Sequence, residues 1–253
     1  MSTVRLIPLG VGEAFSARHY TTSLAVGSDD DWLLLDCPHP IRKMLREASE
    51  SSGVALDLGD IGGVALSHLH ADHASGLEDY AYFSFFTLKR KAQLLAHPDI
   101  SARIWPDLLA AGMDRAVTRD DQPARAMTRE DYFDVIDLVT ARPVAFGPFS
   151  IECRPTRHSI PATAFRVACG GRSIGFSADT AFDPTLIDWL APCDLIAHEA
   201  TTAASSSVHT PLARLAELPE PIRRKLRLIH YPDDLDTASC PIEMLRQGQC
   251  YVV

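Results

Sequence analysis

Nowhere in its 253 residues does the chain hold an apolar run approaching the roughly 20 residues that a membrane-spanning helix needs. The opening segment "MSTVRLIPLG" also lacks the long apolar stretch and small-residue cleavage site of a secretory signal, so a cytoplasmic protein with no membrane partner is expected. The 6 cysteines (37, 153, 169, 193, 240 and 250) form no Cys-x-x-Cys pair and read as reduced, buried or idle thiols. Positive charge is scarce as well. With 24 Lys+Arg against 33 Asp+Glu the net charge is −9, which argues against a broad surface that tracks nucleic-acid phosphates. The basic runs "LKRK" (88–91) and "RRKLR" (223–227) are modest and read as solvated helix faces. No repeat and no linker breaks the composition, so residues 1–253 are expected to form a single domain.

What is present is an ordinary globular balance, 46% apolar and 23% charged, arranged in alternating segments. "VRLIPLG" (4–10), "SLAVG" (23–27) and "WLLLD" (32–36) read as strands, the last two joined by "SDDD". Residues 40–51 read as a helix, with Ile41, Met44, Leu45 and Ala48 on one face and Pro40 in its first turn. "GGVALSH" reads as a buried strand. Residues 75–90 and 99–113 look helical around a strand near Leu94–Ala96, and 114–147 reads as a loop with a short helix near 129–138. Further strands follow in "FSIECRPTRHS" and "TAFRVACGGRSIGFSADT", where Gly170-Gly171 marks a hairpin turn, and in "CDLIAHEA" and "KLRLIHYP". The end, "MLRQGQCYVV", reads as a short helix and a strand. This order suggests an α/β protein with helices outside packed sheets and function in loops at strand ends.

The densest chemistry lies in "HLHADH", where His68, His70, Asp72 and His73 occupy six positions. On an extended stretch leaving a strand, His68 and His70 face one side and can reach one ion. Asp72 and His73 follow where the chain turns into a helix and can face a second ion. Imidazole and carboxylate are ligands for zinc and similar metals, and a catalytic site keeps a position open for water. Three more residues of ligand type end predicted strands: His158, Asp179 and His230. His19, His39 and His97 carry no motif, and His198 reads as structural.

Taken together, "HLHADH", His158, "SADT" and His230 resemble the metallo-β-lactamase superfamily of metallohydrolases over nearly the whole chain. The resemblance implies an αββα sandwich with two divalent ions at one edge, zinc first, with manganese or iron as alternatives. By position, His68, His70 and His158 would hold one ion. Asp72, His73 and His230 would hold the other, and Asp179 would bridge them. Asp36 in "LLLDCP" matches a structural aspartate that steadies the histidine loop.

Three stretches narrow the resemblance to ribonuclease Z-like phosphodiesterases: "GVGEAFSARHYTTSLAV", "RHSIPATAFRV" and "LIAHEATT" followed by "HTP". That branch implies His209 as the acid that assists the leaving group and Glu199 as the residue that orients it, with Asp72 able to take the water proton. "VHTPLARLAEL" equally reads as a helix start, with Thr210 as N-cap and Pro211 at the first helical position. The long basic arm by which ribonuclease Z grips tRNA has no counterpart, since the interval from Glu199 to His209 is short and filled, after Ala200, by "TTAASSSV". The expected substrate is therefore a small, cyclic or RNA-end phosphodiester, without extended nucleic-acid binding, and related enzymes are often homodimers. Two other readings fit the same metal site: a carboxyl-ester, lactone, thioester or sulfate-ester hydrolase, and a non-hydrolytic diiron protein that binds oxygen or senses redox state.

Overall fold

A computed structural model describes residues 3–119, 121–236 and 240–253. Its first half opens with β1 (Val4–Gly10), β2 (Ser23–Ser28) and β3 (Asp31–Leu35), an antiparallel meander. Helix α1 (Ile41–Ser52) then crosses over to β4 (Ile61–Leu66), which lies parallel to β3. Short helices α2 (Ala71–Ala74) and α3 (Leu77–Tyr82) lead to β5 (Ala92–Ala96). Next come α4 (Pro98–Arg103), α5 (Ala110–Met113), a two-stranded ribbon of β6 (Arg115–Ala116) and β7 (Arg125–Ala126), α6 (Arg129–Tyr132) and β8 (Phe133–Asp137).

The second half carries β9 (Val144–Phe146), β10 (Phe149–Pro155), β11 (Thr163–Cys169) and β12 (Arg172–Phe176), then α7 (Pro184–Leu190) and β13 (Leu195–Glu199). Helices α8 (Leu212–Ala216) and α9 (Glu220–Arg223) precede β14 (Leu226–Ile229), and β15 (Tyr251–Val252) returns to pair with β1.

Two sheets result, in the orders β15-β1-β2-β3-β4-β5-β8 and β14-β13-β12-β11-β10-β9. Alternation along the strands decides how they stack. Leu6, Leu24, Val26, Leu33 and Leu35 point to one side and pack with Phe149, Ile151, Phe165 and Phe176 of the second sheet. Ile7, Leu9, Ala25 and Leu34 point to the other side and pack with Ile41, Met44 and Leu45 of α1 and with Leu77 and Ile100. On the far side of the second sheet, Gly175 lets α7 approach closely, because a Cβ there would meet Leu190 Cδ2 at 2.9 Å. The layers are helix, sheet, sheet and helix, the αββα sandwich.

Four local expectations need correction. The helix near 129–138 is one turn long, because Phe133–Asp137 instead fills the parallel edge of β5 with its Val-Ile pair. No helix forms over 244–250: Leu228 N–H donates to Glu243 O at 2.8 Å and Leu245 N–H to Leu228 O at 2.9 Å, which commits that backbone to the edge of β14. Thr210 is not a cap, since its hydroxyl donates to Thr180 O and the helix begins after Pro211. The helices at 75–90 and 99–113 each widen into a π segment, Phe83–Thr87 and Ile104–Leu109, the latter around Pro106, which has no N–H to donate.

Candidate metal centre

The chain leaves β4 at Ser67, and the next turn sets His68, His70, Asp72 and His73 against the exits of β10, β12 and β14. Asp36, immediately after β3, organises this turn. It accepts from Ser67 N–H (2.7 Å), Ser67 Oγ–H (2.7 Å) and His73 Nδ1–H (2.7 Å), all without solvent contact. Ser67 Oγ, its proton so committed, accepts from His68 Nδ1–H at 2.9 Å. His158 Nδ1–H donates to Val208 O at 3.0 Å. These outer bonds settle the ring tautomers and leave His68, His73 and His158 presenting Nε2 lone pairs inward.

The inward nitrogens converge. His68 Nε2 and His158 Nε2 lie 3.1 and 3.0 Å from His70 Nδ1, and at most one proton can sit among the three. A tetrahedral zinc ion with bonds of about 2.0–2.1 Å sets its nitrogens about 3.3 Å apart, close to this spacing. Beside them His73 Nε2 lies 3.3 Å from both Asp72 Oδ2 and Asp179 Oδ1, and His230 Nε2 lies 3.2 Å from Asp72 Oδ2 and 3.4 Å from Asp179 Oδ2. Asp179 Oδ2 is also 3.8 Å from His68 Nε2 and 3.9 Å from His158 Nε2, so its carboxylate spans both groups. His73 Nε2 and Asp179 Oδ1 are buried with no hydrogen-bond partner, a costly state that a cation between them removes. The two sets, His68/His70/His158/Asp179 and Asp72/His73/Asp179/His230, can each hold a metal ion.

Electrostatics follow from burial and from these neighbours. Burial, then the neighbouring His73, pushes His68 well below the usual imidazole range, and burial also lowers His158. His73 is raised despite its burial by Asp179 and Asp36. Burial alone would raise Asp179, but His230 and His73 hold it well below the carboxylate range. Asp36, Ala178 and His230 all take left-handed backbone (φ 64°, 48° and 52°), so three strand exits beside the clusters turn sharply.

The remaining expected residues fall beside the clusters. Glu199 ends β13, fully buried, and its Oε1 accepts from Thr180 N–H at 2.6 Å and lies 3.2 Å from His209 Nδ1. The bond to Glu199 raises the proton affinity of His209, while burial raises that of Glu199 itself. His198 is buried and donates to Glu199 O, His39 pairs with Asp79 on the surface, and His97 accepts from Asp99 N–H at the start of α4. His70, Asp72, His158, Asp179, His209 and His230 line one open cavity of about 310 Å³. Sequence reasoning missed the roles of Ser67 and the Val208 carbonyl, and it singled out the stretch that holds Glu13–Phe15 without placing it on a wall of this cavity. Ser67 carried a signal in its place next to His68.

This arrangement is the metallo-β-lactamase fold. The YhfI protein of Bacillus subtilis, described as a metallo-β-lactamase fold protein, superposes with a TM-score of 0.79 at 18% identity over 99% of this chain and 100% of that one. The short form of human tRNase Z superposes at 0.69, with 18% identity over 98% of both chains. The particular family comes from sequence: the chain belongs to the family described as Anti-Pycsar protein Apyc1, whose model matches residues 4–251. The anti-Pycsar protein Apyc1 of Bacillus phage BSP38 is 29% identical over 267 residues, covering 100% of both proteins.

Proposed function

We propose that the protein is a zinc-dependent phosphodiesterase that opens a small nucleotide phosphodiester, with cyclic nucleotides as the first class to test, a choice consistent with its family. One observation supports the reading: a buried glutamate holds His209 at 3.2 Å on the wall of a cavity that is also lined by members of two clusters of candidate metal ligands. Two bound divalent ions would lower the pKa of a water toward neutrality and offset phosphate charge. His68, His70 and His158 would hold one ion, Asp72, His73 and His230 the other, and Asp179 both. The donor set, imidazole nitrogen and carboxylate oxygen, favours zinc, with manganese or iron as alternatives.

The chain's own residues then divide the proton work. The Asp72 carboxylate, at the cavity wall, takes up the proton of the attacking water. His209, fixed through Nδ1 by Glu199, donates from Nε2 to the departing oxygen. An alkoxide leaving group needs that proton, whereas an activated carboxyl ester or lactone does not, so the dyad favours a diester with a poor leaving group. The cavity suits one nucleotide better than a polymer, and the charge of −9 gives no track for one. This is the chemistry of the ribonuclease Z-like branch without its tRNA-gripping arm.

The test is a product assay on the zinc-loaded chain with 3′,5′-cyclic nucleotides, p-nitrophenyl acetate and a lactone as competing substrate classes. Ring-opened nucleoside monophosphate that disappears on chelation supports the proposal. Turnover of the ester or lactone with intact cyclic nucleotide rejects it in favour of a carboxyl-ester hydrolase.

A further inference from the structure

We propose that Phe15 is the platform on which the base of a nucleotide substrate stacks, making it a specificity-determining residue of the metal cavity. The inference deepens the phosphodiesterase reading and rests on the substrate being a nucleotide.

Phe15 is 88% exposed, whereas Phe149, Phe165 and Phe176 are buried in the core. An aromatic ring left in water keeps its face free, and burying that face against a ligand regains the energy that folding left unused. Phe15 lines the same cavity as His70, Asp72, His158 and His209. The loop that carries it is pinned on both sides. Glu13 N–H donates to Tyr231 O (3.2 Å), Ser16 Oγ–H to Asp233 Oδ1 (2.5 Å) and Ala17 N–H to Asp233 Oδ2 (2.8 Å). Gly12 permits the tight turn, because a Cβ there would meet Ser16 Cβ at 2.6 Å. Both anchors, Tyr231 and Asp233, lie within three residues of His230, so the loop is tied to the segment that carries this candidate ligand. Among the described residues, the other exposed large apolar ones, Phe86, Val117, Val139 and Val252, line none of this cavity. Phe15 therefore stands apart from them and from an apolar patch of the size a protein interface requires.

A single planar apolar face at the rim, with cation sites on the floor, matches an amphipathic ligand. The phosphate goes to the cation ligands, and the base lies against the ring. Stacking accepts any base, because each has a π-face, and removing an aromatic platform typically weakens binding by about 5- to 150-fold.

The experiment compares the zinc-loaded wild-type chain with Phe15→Ala and Phe15→Trp. Steady-state constants are measured on a 3′,5′-cyclic nucleotide and on the same cyclic phosphate lacking its base. Calorimetric binding of a nucleoside 5′-monophosphate against ribose 5-phosphate gives a readout independent of turnover. The expected result is that Phe15→Ala raises KM for the nucleotide about tenfold or more, with kcat within about twofold, and erases the preference for nucleoside monophosphate over ribose phosphate. Phe15→Trp restores both. An unchanged KM and binding preference in Phe15→Ala overturns the proposal, as does an equal loss on the two cyclic phosphates. A shift from dimer to monomer in Phe15→Ala, with both substrates affected alike, assigns the ring to a subunit contact and also overturns it. If no cyclic nucleotide is hydrolysed, yet the monophosphate binds through Phe15, the phosphodiesterase reading falls and this inference stands. If turnover is present and indifferent to Phe15, the inference alone falls.

Discussion

Asp36 touches no solvent and no cavity, yet three donors end on it: Ser67 N–H, Ser67 Oγ–H and His73 Nδ1–H. Through Ser67 it also fixes the tautomer of His68. One carboxylate thus orients a candidate ligand in each of the two clusters. Replacing it with alanine strands three buried donors, at a cost of about 3–5 kcal/mol, and frees both rings to turn. Loss of such outer partners typically weakens metal affinity by about 10- to 100-fold. We expect Asp36→Ala to lower zinc affinity by that factor in a chromophoric chelator competition, and Asp36→Asn, which keeps one acceptor, to lose less. A folded Asp36→Ala protein with wild-type zinc affinity would refute this role.

At the scale of elements, the histidine turn depends on a close approach between the start of α3 and the turn after β3. Gly76 N–H donates to Cys37 O at 2.8 Å, and a Cβ on Gly76 would meet Pro38 O at 2.4 Å. Cys37 N–H in turn donates to His73 O at 2.8 Å. Gly76→Ala must push these segments apart, so we expect a loss of about 1–3 kcal/mol in urea unfolding and weaker zinc binding. Gly53 is the control. It ends α1 at φ 72° with open space around it, so Gly53→Ala should cost about 1 kcal/mol and leave zinc affinity unchanged. Strands with short apolar runs bounded by turn signals, β1 to β5, and the Gly170-Gly171 hairpin were legible because their signals are local. Phe133–Asp137 and residues 244–250 were not, because what decides them is a sheet edge supplied by distant residues. The site divides the same way. "HLHADH" is contiguous and stood out, and His158, Asp179 and His230 acquired roles only through resemblance to a family. The Val208 carbonyl left no local trace, and the Phe15 loop stood out only as part of "GVGEAFSARHYTTSLAV", because their places at the site depend on contacts 50 and 216 residues apart along the chain.

Across the whole molecule, the clusters sit where the two sheets meet. His68, His70, Asp72 and His73 follow β4 of one sheet, and His158, Asp179 and His230 follow β10, β12 and β14 of the other. Directly behind them Thr163 N–H donates to Ser67 O at 2.9 Å, one of the few backbone bonds from sheet to sheet. Bound ions would staple the sandwich shut at this edge. Zinc at 100 to 1,000 times its Kd stabilises the native state by about 2.7–4.1 kcal/mol, so chelation should lower Tm by about 5–15 °C. An unchanged Tm would mean that the folded chain does not bind zinc tightly at this edge. Among the described residues no helix is long and apolar enough to cross a membrane, which agrees with the composition. Whether His209, held by Glu199 beside two clusters of candidate metal ligands, acts as the acid of a phosphodiester hydrolysis is tested most directly by one ratio. It is the loss of kcat caused by His209→Ala on a 3′,5′-cyclic nucleotide, divided by the loss on bis(p-nitrophenyl) phosphate, with zinc content matched. General-acid catalysis predicts a loss of about 10²–10⁴ on the cyclic nucleotide and a small one on the nitrophenyl diester, whose leaving group needs no proton. Equal losses on both, or none on the cyclic nucleotide, would contradict it.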